Sequence, residues 1–195
     1  MEWNALFTSS MLSSVEILDD YTFLGAANNS NITSLQNNEG VYTMGKLDVV
    51  GKYHLGEFIN KFQHGSLVPY SDACRIPTVT FGSAGGVIGI IASLPREQYE
   101  FLEKLETSTR AMIDGVGDLC QKKWRSVKKF NYLGEEGEEF LEASNFLDGD
   151  LIESFLDLSR NMMDQVSERI GVSVEELCER VEELKRLHCL VVFKT

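Results

Sequence analysis

The chain has 195 residues, 43% of them hydrophobic, and a formal net charge of −12. Length and apolar content suffice to bury a core, which excludes a disordered tail. The negative charge repels phosphate backbones at long range and excludes strong non-specific nucleic-acid binding by the chain as a whole.

The opening MEWNALFTSSMLSS has an acid at position 2 and no basic stretch ahead of a long apolar run, so no signal peptide is expected. Short runs rich in Val, Ile, Thr and aromatics follow: VEIL (15–18), YTFLGA (21–26), LDVVGKYHLG (47–56), GSLV (65–68), TVTF (78–81) and GVIGIIASL (86–94). The clusters LDDY, NNSN, NNEG and SAGG punctuate them, a pattern that predicts short strands of a sandwich, barrel or propeller blade. No strand-helix-strand alternation is visible, which argues against a doubly wound fold. GGVIGIIASL is too short to span a bilayer, and no membrane partner is expected.

The period changes at Pro95, which suits a first helical turn. Tyr99, Leu102, Leu105, Met112, Ile113 and Val116 then recur at helical spacing down to GVGDL. A second helix is predicted from Gly149 to Ile170, with Leu151, Phe155, Leu158, Met162 and Val166 on one face and Gly171 as its stop. A third starts at the S-x-x-E box of Ser173 and Glu176 and buries Val174, Leu177, Val181, Leu184 and Leu187. The acidic segment 134–143 separates the first two helices, and sheet followed by helices predicts two packed units.

Little in the chain resembles catalytic or cofactor chemistry. GSAGGVIG (82–89) lacks the order and the Lys of a phosphate loop and reads as a hairpin turn. His54, His64 and His188 are scattered, Cys74, Cys120, Cys178 and Cys189 form no C-x-x-C pair, and no G-x-S-x-G elbow is present. No metal, no cofactor and no enzyme is expected; the cysteines read as thiols of a reducing compartment. QKKWRSVKK (121–129) surrounds Trp124 with Lys122, Lys123, Arg125, Lys128 and Lys129, a pairing that single-strand binders use. The simpler reading packs Trp124 and leaves the cations solvated or facing 134–143. In FLDGDLIESF (146–155), Asp150 and Glu153 have the spacing of a helix cap and its return bond, with Gly149 supplying backbone freedom; a calcium loop would need more acids before the Gly.

WRS (124–126), FLDGDLIESFLDLSR (146–160) and VEELKRLH (181–188) resemble the C-terminal end of the damaged-DNA-binding protein 1 family, plant members above all. These are the propeller adaptors of cullin-4 ubiquitin ligases. SVEILDDYTFLGA (14–26), KYHLGEFINKFQHGSLV (52–68) and IPTVTFGSAGGVIGIIASLP (76–95) resemble the same family in order and spacing. The large subunits of splicing factor 3b and of the polyadenylation specificity factor share the DGDL core but are less similar around HLGEF and HGSL. The resemblance implies a β-propeller fragment followed by an all-α domain, α+β overall. Residues 1–94 would be the last blades of a third propeller, with 1–10 unmatched. Residues 95–188 would be the helical C-terminal domain, and 189–195 an unmatched tail.

It further implies a non-enzymatic scaffold of DNA repair and ubiquitination, in the nucleus and secondarily the cytoplasm. Full-length relatives receive WD-repeat substrate receptors between the first and third propellers and bind cullin-4 through the second. No second propeller is expected in these residues, so direct cullin-4 binding is not expected, and a truncated paralogue or gene fragment is. Asn28 and Phe58 match receptor-binding positions. Met11 stands where the family has Trp and Ala27 where it has Glu; loss of an aromatic anchor costs roughly 2 kcal/mol, so weakened receptor binding is expected. A second reading is a nucleic-acid module of the cleavage and polyadenylation type, using Lys122, Lys123, Trp124 and Arg125.

Overall fold

A computed structural model describes residues 11–37, 47–65, 76–113, 115, 119–129, 139–186 and 191–194. The elements run β1 (Leu12–Ile17), β2 (Thr22–Ala27), β3 (Asn31–Asn37), β4 (Leu47–His54), β5 (Ile59–His64), β6 (Thr78–Ser83), β7 (Ile88–Leu94), α1 (Arg96–Arg110) and α2 (Gln121–Trp124). They continue with β8 (Val127–Lys129), β9 (Glu139–Leu141), β10 (Phe146–Asp148), α3 (Gly149–Glu153), α4 (Arg160–Ile170), α5 (Val174–Lys185) and β11 (Val191–Lys194). Two compact units result: Met1–Gln63 with Phe81–Ile88 and Leu119–Asn145, and His64–Thr80 with Gly89–Asp118 and Phe146–Thr195. The units therefore interleave along the chain.

Unit 1 is built on an antiparallel meander, β1-β2-β3-β4. Leu24, Ile32, Leu35 and Tyr53 are almost fully buried. The β1–β2 turn closes because the Asp19 carboxylate accepts the N–H groups of Tyr21 and Thr22, both at 2.8 Å. β3 was not anticipated from NITSLQN, whose first residue reads as part of a turn. Asn31 is instead buried, with His54 Nδ1 lying 2.8 Å from its Oδ1. β5 was missed as well, since only Ile59 and Phe62 point inward; of GSLV, residues 66–68 lie outside the described residues. The Phe62 N–H donates to Ser14 Oγ at 3.0 Å. The GSAGGVIG segment is a hairpin turn between β6 and β7: Ser83 N–H donates to the Val87 carbonyl at 2.9 Å, and Gly86 takes φ 87°. After α2, β8 and β9 pair antiparallel, and Ser144 bridges to Lys52 of β4.

Unit 2 corrects the expectation of an all-α domain after Pro95. β10 and β11 lie in a sheet of order β10-β11-β7-β6-β5, and β11 runs parallel to β7. That is a strand-helix-strand connection after all, and residues 191–194 of the unmatched tail supply the strand between β10 and β7. Pro95 is the N-cap of α1, which ends at Arg110, short of GVGDL; Val116 lies outside the described residues. The helix expected over 149–170 is broken. α3 passes into a 3-10 turn at Ser154–Asp157, Leu158 is extended with ψ 150°, and α4 starts afresh behind Ser159. Its stop at Gly171, left-handed with φ 78°, is as expected. Ser173 caps α5 by accepting the Glu176 N–H at 3.2 Å. Val174, Leu177, Val181 and Leu184 of α5 join Leu105, Ile152, Phe155 and Val166 in one core; Leu187 lies outside the described residues.

Candidate protein-interaction surface

Among the described residues, every exposed large apolar side chain except Ile113 belongs to unit 1, including Met11, Ile17, Phe58, Ile88, Trp124 and Phe140. Exposed apolar groups of this kind suit a partner where they gather into a contiguous patch. Val15 and Ile17 share a face of β1 because strand side chains alternate with period two, and both are exposed.

The structure brings two of the expected partner residues together. The carbonyl of Met11, whose side chain is 78% exposed, accepts the N–H of exposed Asn28 at 2.9 Å, tying the start of β1 to the β2–β3 turn. Leu12 pairs with Ala27, and a register shift between Leu12 and Ser14 re-aims the strand at this point. Phe58, 37% exposed, is held on a different turn, where its carbonyl accepts the Ala84 N–H at 2.8 Å.

The WRS run works mainly inward. Trp124 lies over Gly56, where a Cβ would come within 3.0 Å of the indole and where φ is +86°, so glycine is required on both counts. The His54 ring meets the indole edge-on at 5.3 Å between centroids. Burial, aided by the Arg125 charge, holds His54 below its usual pKa, which keeps the ring neutral at pH 7 with Nδ1–H donating to Asn31. Arg125 donates from Nη1 to the Leu55 carbonyl at 3.1 Å, stacks 5.0 Å above the Tyr53 ring and accepts the His54 N–H at its carbonyl. Lys122 pairs with Glu142 at 3.0 Å, and the Lys123 ammonium lies 5.9 Å from the Phe140 centroid. Sequence alone did not reveal the partners His54, Gly56 and Tyr53, because the contact spans about 70 positions.

The DGD segment is a helix cap, but not the expected one. Asp148, not Asp150, is the N-cap of α3, accepting the Leu151 N–H at 3.3 Å. The N–H of this cap is held from α1: Glu106 Oε1 accepts the Asp148 N–H at 3.1 Å. Asp150 sits exposed in the first turn, Glu153 ends α3, and Gly149 is buried without a left-handed φ. Glu106 is itself buried; burial pushes its carboxyl above the usual range, while Arg110 at 2.8 Å and the Asp148 N–H oppose the shift.

Among the described residues no three His, Cys, Asp or Glu side chains converge to hold a metal, and no helix is long and apolar enough to cross a membrane. Cys120 is exposed and Cys178 half-buried; Cys74, His188, Cys189 and residues 134–138 lie outside the described residues.

Comparison with known proteins accords with these features. DNA damage-binding protein 1a of Arabidopsis thaliana is 56% identical over 188 residues, which are 93% of this chain and 17% of the relative. DNA damage-binding protein 1 of Solanum lycopersicum is 55% identical with the same coverage, and that of Drosophila melanogaster is 36% identical over 193 residues, 16% of its length. The chain thus spans about a sixth of these curated relatives. A family model described as the CPSF A subunit region matches residues 7–157, and the chain belongs to that family.

Proposed function

We propose that the chain is a non-catalytic protein-interaction scaffold of the DNA damage-binding protein 1 type. In this reading the β1–β4 meander is a propeller blade, and the Met11–Asn28 end with Phe58 docks WD-repeat substrate receptors in cullin-4 ubiquitination and DNA repair, in the nucleus. Direct cullin-4 binding is not part of the proposal. The observation that carries it is the concentration of exposed apolar side chains in unit 1, among them Met11 and Phe58 at positions that family likeness assigns to partners.

The test is co-purification with a WD-repeat receptor. Phe58→Ala lowers retention about tenfold, and Met11→Trp, which restores the family's anchor, raises it by about tenfold or more. Failure of both the wild-type chain and Met11→Trp to retain any receptor overturns the proposal.

A further inference from the structure

The Met11–Asn28 end and Phe58 lie on different connections of the chain, so a partner that touches both needs them held at a fixed spacing. We propose, resting on the docking role inferred above, that Ser30, Trp124 and Arg125 are positioning residues of that surface. They tie the turn that carries Phe58 to the β2–β3 turn that carries Asn28.

Residues 55–58 join β4 to β5 and lie outside either strand, so their backbone groups need partners from elsewhere. One set comes from the β2–β3 turn. The Ser30 carbonyl accepts the N–H groups of both Leu55, at 3.0 Å, and Gly56, at 3.3 Å. Ser30 is left-handed, with φ 62°, a conformation that β-branched residues avoid, and its own N–H donates to the Ala27 carbonyl at 3.1 Å. In the same turn the Asn28 N–H is held by the Met11 carbonyl. Main-chain bonds therefore lead from Met11, through this one turn, to Gly56 just ahead of Phe58.

The second set comes from WRS. Half-buried Arg125 donates from Nη1 to the Leu55 carbonyl at 3.1 Å and to the His54 carbonyl at 3.4 Å, while its own carbonyl takes the His54 N–H at 3.1 Å. A guanidinium suits this place because it carries only donors, in one rigid plane. Trp124 covers Gly56. Beyond Gly56 the hold passes to the β6–β7 turn, where the Ala84 N–H meets the Phe58 carbonyl and the Glu57 carboxylate lies so close over Gly85 that a Cβ there would come within 2.9 Å of it. All of these residues belong to unit 1.

Ser30 and Arg125 grip the backbone of the turn and leave the Phe58 ring, 37% exposed, to the partner. A turn fixed before the partner arrives loses little freedom on binding, so such residues act on affinity through Phe58 and need no contact of their own.

The full chain is made with 4-fluorophenylalanine in place of Phe58, and its fluorine resonance is recorded beside the affinity for a WD-repeat receptor in the Met11→Trp background. One sharp line is expected from the parent. Arg125→Ala and Ser30→Val each split or broaden it and weaken binding about tenfold, whereas Ser30→Asn, which tolerates a left-handed φ, keeps both as in the parent. With Phe58→Ala already in place, Arg125→Ala changes affinity by about twofold or less, because the two act as one unit. If Arg125→Ala fails to fold, Arg125→Lys, which keeps a donor but loses the fork, and Ser30→Val decide. An unchanged line in Arg125→Ala and Ser30→Val overturns the proposal. So does a loss of affinity that persists in full without the Phe58 ring, the mark of direct contact or general destabilisation. An equal loss with Lys122→Ala, whose ammonium pairs with Glu142, also overturns it, since the run then acts through charge. If the parent retains no receptor, the docking role falls, and the fluorine lines still decide whether these residues hold the Phe58 turn.

Discussion

Unit 2 encloses Leu105, Ile152, Phe155, Val166, Leu177 and Val181 almost completely, whereas unit 1 leaves Met11, Ile17 and Ile88 more than half exposed. The difference follows from how each is built. In unit 2, α5 and the neighbouring helices bring apolar stripes onto a single core shared with β7, β10 and β11. Unit 1 is a meander, and a sheet presents two faces and two edges to be covered. The helical unit covers most of its own apolar surface; the meander leaves more of it in water.

The strongest way to break that contrast is Phe155→Ala. Truncating a fully buried aromatic costs about 3–5 kcal/mol, and hydrogen exchange should show protection lost across unit 2 while β1–β4 amides keep theirs. Equal loss in both would end the description as two units. Gly56→Ala aims at unit 1: it forces a left-handed alanine against Trp124, at a cost of roughly 1–2 kcal/mol, with a red-shifted tryptophan emission as the local readout. An unshifted emission would show that the indole is not seated on the turn.

Smaller effects sharpen the picture of unit 2. Asp148→Ala should cost about 1 kcal/mol in urea unfolding, and Asp150→Ala about 0.5 kcal/mol or less; a reversed ranking would return the cap to Asp150. The smallest effect is a pair of opposite pH slopes. His54 is held below its unfolded value of 6.5, and Glu106 above its 4.5. The His54 contribution is complete above pH 6.5 and is lost as pH falls through the folded value, because the unfolded chain takes the proton first. Glu106 runs the other way: its contribution is complete below pH 4.5 and is lost as pH rises through the folded value. Below pH 6.5, His54→Asn should therefore flatten a rising slope in unit 1, and above pH 4.5 Glu106→Gln should flatten a falling slope in unit 2.

Local chemistry made some of this legible in advance. The SAGG turn, the Gly171 stop and the Ser173 cap act within a few residues, and the stripe of α5 repeats over three turns. What escaped notice rests on distant partners. Asn31 is buried in β3 because His54, 23 positions on, accepts its company. The choice between two aspartates around Gly149 falls to Asp148 because Glu106 reaches its N–H from 42 positions away. Helical spacing continues across the break at Leu158, so periodicity cannot see it. The proposed partner positions Met11, Asn28 and Phe58 come only from family likeness, since an exposed Met, Asn or Phe carries no pattern of its own.

One strand also sets a schedule. β11 pairs Val191 with Ile91 in parallel and Val192 with Leu147 antiparallel, so a strand that lies between two others is the last of these elements to leave the ribosome. β7 and β10 wait with open edges while α1, α3, α4 and α5 are made. Closing a loop of about a hundred residues is slow compared with helix formation. During that interval the nascent chain is at its most vulnerable to mispairing, and chaperone engagement of this protein should be concentrated there.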